Sequence, residues 1–182
     1  MRKSLVIVGG GYIGAELAKN MEDSCDVTLV EKRSAFVHAP AMLRALVDSS
    51  VREKALIPYD RLLTKGRVVK AKATAIKPDA VVVGAEALPA DFLVVATGAS
   101  NGGIFKPGDE SIEAFRTAQS RVEAQIKTAE RIVIVGAGAV GTELAGEIAH
   151  AFPDKTLYLI SADAGLFPSF PAKLGAGLAT RL

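Results

Sequence analysis

The sequence predicts an α/β fold of two Rossmann-like, three-layer nucleotide-binding units, the second incomplete, and three observations carry that prediction. Leu5 to Ala18 (LVIVGGGYIGAELA) sets a strand-like apolar run before glycines at 9, 11 and 14 and the opening of a helix. Ile132 to Ala145 (IVIVGAGAVGTELA) repeats the pattern at an offset of 127, identical at nine of fourteen positions, with its glycines at 136, 138 and 141. Asp26 to Glu31 (DVTLVE) is a second buried strand whose terminal acid lies 22 positions after Gly9. With 17 glycines in 182 residues one such motif is weak evidence, but two strand–glycine–helix–strand units are not expected by chance and imply two nucleotide sites.

Each glycine in the first motif has a physical task. Gly9 makes the tight turn after the strand, Gly11 lets backbone approach a pyrophosphate, and Gly14 allows close helix–strand packing. The helix N-terminus supplies amide N–H groups and the positive end of its dipole, an anion site that needs no basic side chain. Glu31 stands where such units accept hydrogen bonds from the adenosine ribose. Gly136, Gly138 and Gly141 take the same parts in the second unit. There the strand Thr156 to Ser161 (TLYLIS) ends in serine, with Asp163 two residues beyond.

Composition narrows the function classes. Apolar residues make up 49% and charged residues 23%, an ordinary globular balance that argues against disorder. Twenty-two basic against twenty acidic residues, with no basic run beside aromatics, give no argument for nucleic acid. Cys25 is the single cysteine, so an intrachain disulfide, a Cys-x-x-Cys pair and a cysteine-built metal site are excluded within this sequence, and a reducing, cytoplasmic compartment fits. Arg2 and Lys3 before Leu5 to Ala15 imitate a signal peptide, but that apolar run holds the glycine spacing and continues into Glu16 and Lys19 on a helix. No uncharged apolar run reaches the roughly 18 residues that span a membrane, and Arg2 excludes N-myristoylation.

Between the two motifs, Ala41 to Val47 reads as a short helix, with His38 and Pro40 in the connection before it. On residue chemistry alone His38 is a structural hydrogen-bonder and Arg44 a solvated helix residue. Arg67 to Ile76 and Ala80 to Val83, joined by Lys-Pro-Asp, read as a β-hairpin at about 67–84 beside the parallel sheet, with Lys70 and Lys72 outward. Asp91 to Ser100 (DFLVVATGAS) is another buried strand running into Thr97 and Gly98 at the carboxyl edge of the sheet, where α/β folds bind ligands. A Gly/Pro-rich loop from Ser100 to Asp109 leads to Ser111 as the cap of a helix over Ile112 to Ala129. On the second helix Glu143, Glu147 and His150 share one face, but three ligands on one helix cannot wrap an ion, so no metal is expected.

The two glycine motifs, the acid after the first and the ATG strand end between them resemble the pyridine-nucleotide flavoprotein oxidoreductases and their FAD/NAD(P)-binding fold. SAFVHAPAMLR at 34–44, EALPADFLVVATGAS at 86–100 and IVIVGAGAVGTELAGEIAHAFPDKTLYLI at 132–160 resemble more closely the apoptosis-inducing-factor-like branch. That branch includes the ferroptosis-suppressor quinone reductases and is similar to type II NADH dehydrogenases. The resemblance implies an FAD-binding domain over 1–128 and the start of an inserted NAD(P)H-binding domain over 129–182. It implies a chain that is a fragment of a longer protein, and FAD and NAD(P)H as cofactors. Gly9, Gly11 and Gly14 would hold the FAD pyrophosphate, Glu31 the ribose, Lys32, Arg33 and the backbone near Val69 the adenine surroundings, and Thr97 and Gly98 the flavin's phosphate–ribitol arm. His38 and Arg44 match positions near the flavin, and Glu143 matches an acid near the nicotinamide. Ser161 in place of the usual acid leaves NADH and NADPH both open, with a lean to dual use. The implied activity is hydride transfer from nicotinamide to flavin and electron delivery to a quinone-like acceptor. A ferredoxin or rubredoxin reductase, and a truncated non-catalytic nucleotide-binding module, are the alternatives. For the full-length protein the resemblance leaves a homodimer and a membrane-peripheral or organellar location open.

Overall fold

The computed structural model describes residues 2–99, 103–108 and 111–181, so Ser100 and Asp109, the ends of the expected Gly/Pro-rich loop, lie outside the described residues. Packing divides the chain into two compact units, one of Met1–His38 with Ala55–Phe115, the other of Ala39–Lys54 with Arg116–Leu182.

The first unit opens with β1 (Lys3–Val8), α1 (Tyr12–Met21), β2 (Cys25–Glu31) and β3 (Ala35–Val37). Helices α2 (Ala41–Arg44) and α3 (Ser49–Ala55) intervene, the latter ending at its boundary with the first unit. The chain continues through β4 (Leu56–Pro58), a 3-10 turn at Tyr59–Arg61, β5 (Arg67–Lys70), β6 (Ala73–Lys77), β7 (Ala80–Val83), β8 (Glu86–Pro89) and β9 (Phe92–Val95). The main sheet has the order β5-β2-β1-β9 and every pairing in it is parallel. Alternate residues of β1 serve opposite faces. Leu5 and Ile7 pack with Ala18 of α1, Val27, Leu29 and Tyr59, while Val6 and Val8 pack with Val30, Val81 and Leu88. Helix thus covers one face and the antiparallel β6-β7-β8 sheet the other. This three-layer arrangement is why LVIV reads as a continuous apolar run with no polar alternation.

The expected hairpin is corrected by the strand pairing. Arg67–Lys70 is not one of its arms: β5 pairs in parallel with β2, Thr28 opposite Arg67 through Glu31 opposite Lys70. After a break at Ala71 and Lys72, β6 pairs with β7, and β8 joins as a third antiparallel strand. Both Glu31 and Val69 carbonyls accept the Ala71 N–H at 3.0 Å, which closes the parallel ladder there and lets the chain leave the sheet.

In the second unit β10 (Arg131–Val135) and β11 (Thr156–Ile160) pair in parallel, and α5 (Ala139–Ala151) joins them. Ser111 caps α4 (Ile112–Thr128) as expected, its Oγ accepting the Ala114 N–H at 3.1 Å. A last helix, α6, covers Ala172–Ala179. The expected helix at Ala41 to Val47 is shorter: α2 stops at Arg44, and Asp48 then starts α3 by accepting the Ser50 N–H at 3.0 Å. Met42, Ala45 and Leu46 are fully buried, as is Ile148 of α5. Val133, Val135, Tyr158 and Ile160 leave one face of the β10–β11 pair exposed and apolar.

Candidate functional site

The first glycine loop is held by backbone contacts that tolerate no side chain. Gly9 has φ +104°, donates its N–H to Val30 O at 2.8 Å, and a Cβ there would stand 2.4 Å from Ala96 O. A Cβ on Gly14 would stand 1.8 Å from Gly9 O, so loop and helix touch through bare backbone. Gly11 is different: a Cβ there meets nothing within 4 Å. It is the N-cap of α1, extended at φ −72°, and no side chain caps the helix. Open space, an uncapped helix start and the positive end of the dipole together fit the phosphates of a dinucleotide.

Glu31 closes the loop from behind. It is 3% exposed, and its carboxylate accepts the Gly10 N–H at 2.6 Å and, through the other oxygen, the Arg33 N–H at 2.9 Å and Arg33 Nε at 3.1 Å. Burial works against the charge, but the Arg33 and Gly10 N–H groups and the Arg33 guanidinium outweigh it and hold the carboxyl below its ordinary range. A carboxylate accepts about four hydrogen bonds, so a ribose hydroxyl still has a lone pair to meet. Gly9, Glu31, Lys32, Arg33 and Thr97 line one hollow. Lys32, Arg33, Thr97 and Gly98 line a second with Lys106. Val69 lines neither and instead packs beside the Val6, Val8 and Val30 cluster, with Ala71 to Ala73 in the hollow beyond it.

Because Glu31 has a lowered pKa, its contribution to stability is complete above the unfolded carboxylate pKa and is lost as pH falls through the folded value. Glu31→Gln presents an amide N–H₂ or a neutral oxygen to three N–H donors. We expect it to lower stability at neutral pH by about 2 kcal/mol and to flatten the acid limb of stability against pH, both measurable by urea denaturation at pH 3 to 7.

Tyr59 is a member of this site that the sequence reading did not find. It is buried beneath the loop, and its hydroxyl donates to Gly10 O at 2.5 Å. Its signal was the glycine beyond the motif's three: a Cβ on Gly10 would stand 2.7 Å from the Tyr59 oxygen. His38 is exposed at the end of β3, its N–H bonded to Ala55 O at 2.9 Å and its Nδ1 3.0 Å from the Tyr12 hydroxyl. Arg44 belongs to the second unit, where Nε and Nη2 form a two-pronged pair with Glu147 of α5 at 2.9 to 3.0 Å.

The second loop repeats the backbone design of the first. Gly136 has φ +108° and donates to Ile160 O at 2.8 Å; a Cβ on Gly141 would stand 1.9 Å from Gly136 O, and one on Gly138 meets nothing within 4 Å. Gly138 caps α5 with extended backbone, φ −73°, and no side-chain cap. Glu143 lines a hollow with Thr142, Gly146, Phe167, Leu178 and Arg181. Beyond β11 the Ser161 Oγ accepts the Asp163 N–H at 3.1 Å, a local turn in place of a strand-end carboxylate. Among the described residues no three His, Cys, Asp or Glu side chains group to hold a metal, and no helix is long and apolar enough to cross a membrane.

Comparison with known proteins agrees with this geometry. Family models described as pyridine nucleotide-disulphide oxidoreductase match residues 4–77 and 59–182. Apoptosis-inducing factor homolog B of Dictyostelium discoideum is 37% identical over 163 residues, 87% of this chain and 42% of that protein. Ferroptosis suppressor protein 1 of Taeniopygia guttata is 34% identical over 177 residues, 91% of this chain and 47% of that protein. The chain therefore spans under half the length of these relatives. In fold it is similar to the covalent putidaredoxin reductase–putidaredoxin complex, with TM-score 0.72 at 20% identity over 98% of this chain and 47% of that one. NDH2 from Plasmodium falciparum in complex with NADH gives TM-score 0.70 at 17% identity over 97% of this chain and 45% of that one. Two glycine loops of one design, each between parallel strands, and family models that together run from residue 4 to residue 182 lead to one assignment: the chain belongs to the pyridine nucleotide-disulphide oxidoreductase family.

Proposed function

We propose that this chain is the nucleotide-binding part of an FAD-dependent NAD(P)H oxidoreductase that delivers electrons to a quinone-like acceptor. The observation that carries the proposal is the pair of loops with equal backbone geometry and unequal strand ends: Glu31 buried behind the first, Ser161 after the second. In the first unit Gly9 and Gly14 shape the loop, Gly11 leaves room for the diphosphate, Glu31 faces the ribose and Lys32 and Arg33 border the adenine. Thr97 and Gly98 flank the remaining arm of FAD. The second loop, Gly136, Gly138 and Gly141, receives NAD(P)H, with Glu143 beside the nicotinamide; no strand-end carboxylate repels a 2′-phosphate, which favours use of both nucleotides. Bound FAD supplies the redox chemistry, accepting a hydride from the nicotinamide and passing electrons on. The chain's own residues bind, orient and shield, and the single buried Cys25 takes no part. His38 stays near the flavin in this reading, and Arg44 with Glu147 supports the helix that carries Glu143. A cytoplasmic, membrane-peripheral or organellar location and a homodimer accompany the same reading, which the similarity to apoptosis-inducing factor homolog B supports.

The test is a visible spectrum of the full-length protein, anaerobic titration with NADH and with NADPH, and reoxidation by a short-chain quinone. Flavin absorbance bleached by either nucleotide and restored by quinone is expected. Reoxidation by an iron–sulfur protein but not by quinone would move the protein to the ferredoxin or rubredoxin reductases. No flavin retained after adding FAD would reduce it to a nucleotide-binding module.

A further inference from the structure

The two loops differ at five of their fourteen positions, and two of those differences are explained together by one hydrogen bond in each loop. In the first loop the residue between the first two motif glycines is Gly10, and its carbonyl accepts the Tyr59 hydroxyl at 2.5 Å. In the second loop the equivalent residue is Ala137, and its carbonyl accepts the Thr142 hydroxyl at 3.2 Å. Thr142 replaces Ala15, so α5 provides from its own first turns the hydroxyl that the first unit brings from the 3-10 turn after β4. The glycine follows the same logic: Tyr59 packs where a Cβ on residue 10 would be, so alanine is accommodated only where no tyrosine sits. Both hydroxyl-bearing residues are buried, at 6% exposure each.

We propose that Tyr59 and Thr142 are positioning residues for the two nucleotide loops, each fixing the carbonyl before Gly11 or Gly138 so that the amide of that glycine faces the dinucleotide diphosphate. The described residues contain no cis peptide, and in a trans peptide the carbonyl and the following N–H point in opposite directions. Holding Gly10 O against Tyr59 therefore turns the Gly11 N–H away from Tyr59, at a residue where a Cβ would meet nothing within 4 Å, and Thr142 does the same for Gly138. The Gly10 N–H is already taken by Glu31, which leaves the next amide as the one to meet an anion. Burial, with the charge of Glu31, pushes the Tyr59 phenol upward, so it remains a donor at every physiological pH. The inference rests on the assignment of FAD to the first loop and NAD(P)H to the second.

The experiment measures FAD and NAD⁺ dissociation constants, with melting temperatures, for Tyr59→Phe, Thr142→Val and Thr142→Ser in the full-length protein. Losing one buried hydrogen bond to the loop should weaken binding about tenfold. Tyr59→Phe is expected to weaken FAD and leave NAD⁺ unchanged, and Thr142→Val to do the reverse, with Thr142→Ser restoring the wild-type constant. The crossed pattern separates positioning from general loss of stability, which would weaken both nucleotides together. Constants within about twofold of wild type, or both nucleotides weakened equally by each variant, would overturn the inference while leaving the proposed function standing. A wild-type protein that binds no FAD would overturn the function and this inference with it. Should Tyr59→Phe not fold, the Thr142→Val and Thr142→Ser pair decides the matter.

Discussion

Gly14→Ala is expected to abolish folding of the first unit, while Gly11→Ala, three residues earlier, is expected to keep the fold and lose the nucleotide. A methyl on Gly14 would sit 1.8 Å from Gly9 O, and that oxygen cannot retreat, because Gly9 itself is pinned at φ +104° with a Cβ position already 2.4 Å from Ala96 O. Relief needs α1 to lift off β1, which would open the cluster formed by Ile7, Ala18 and Leu29. The expected cost is about 4 kcal/mol or more, enough to unfold a marginally stable unit. At Gly11 the backbone is extended and a methyl meets nothing, so stability should fall by no more than about 1 kcal/mol, the ordinary cost of alanine at a helix N-cap. The same methyl occupies the space a diphosphate needs, so FAD affinity should fall at least about a hundredfold. Thermal unfolding and flavin titration of the two variants check both statements; a soluble Gly14→Ala protein with wild-type melting would contradict the packing argument. Gly138→Ala should likewise keep the second unit folded, and Gly141→Ala should destabilise it through an approach of 1.9 Å to Gly136 O, but less than Gly14→Ala, because a Cβ on Gly136 meets nothing within 4 Å and that loop is not held from behind as Gly9 is.

That contrast also shows what was legible in the sequence. The contact between Gly14 and Gly9 O spans five residues, so the motif spacing exposes it, and Glu31 stands out as an acid at the end of an apolar strand; the Ala96 carbonyl that crowds Gly9 comes from 87 residues away and is not legible locally. Tyr59 acts on Gly10 from 49 residues away, and only the otherwise unneeded glycine between Gly9 and Gly11 hinted at it. The β5 strand departs from the expected hairpin for a related reason. RVVK has the same composition in a hairpin arm as in a parallel edge strand, and the deciding fact is its register against Thr28–Glu31, 39 residues earlier. His38 and Arg44 could be placed on a connection and a helix but not given partners. The Tyr12 hydroxyl and the Glu147 carboxylate that meet them come from other helices, and for Arg44 the partner is 103 residues distant.

Arg52→Ala is expected to be the most damaging substitution in the second unit outside its glycines, although it lies on the short, largely polar helix SSVREKA. Arg52 and Glu123 are 6% and 8% exposed, and the two pair directly, Nη2 to Oε2. Arg52 also reaches Ser120 Oγ and donates to Ala45 O at 3.2 Å, so a single guanidinium ties α2 and α3 to α4. Lys127 adds a second cation to Glu123 at 2.7 Å from the half-exposed rim. Burial disfavours the Glu123 charge, but Lys127 and Arg52 overcome it and leave the carboxyl below its ordinary range. Removing Arg52 strands Glu123 with one partly solvated partner, and the expected loss is about 3 kcal/mol, toward the low end for a broken buried pair because Lys127 remains. The damage should depend on pH: the native pair contributes fully above the unfolded carboxylate pKa and fades as pH falls through the lower folded value, so wild type and variant should converge in acid. Urea denaturation at pH 7 and pH 3 measures both effects. Replacing both partners, Arg52→Met with Glu123→Leu, should recover much of the loss, since two apolar side chains avoid the desolvation that the ion pair must offset. A double variant as unstable as Arg52→Ala would instead place the stabilisation in the contacts to Ser120 and Ala45, which the double substitution also removes.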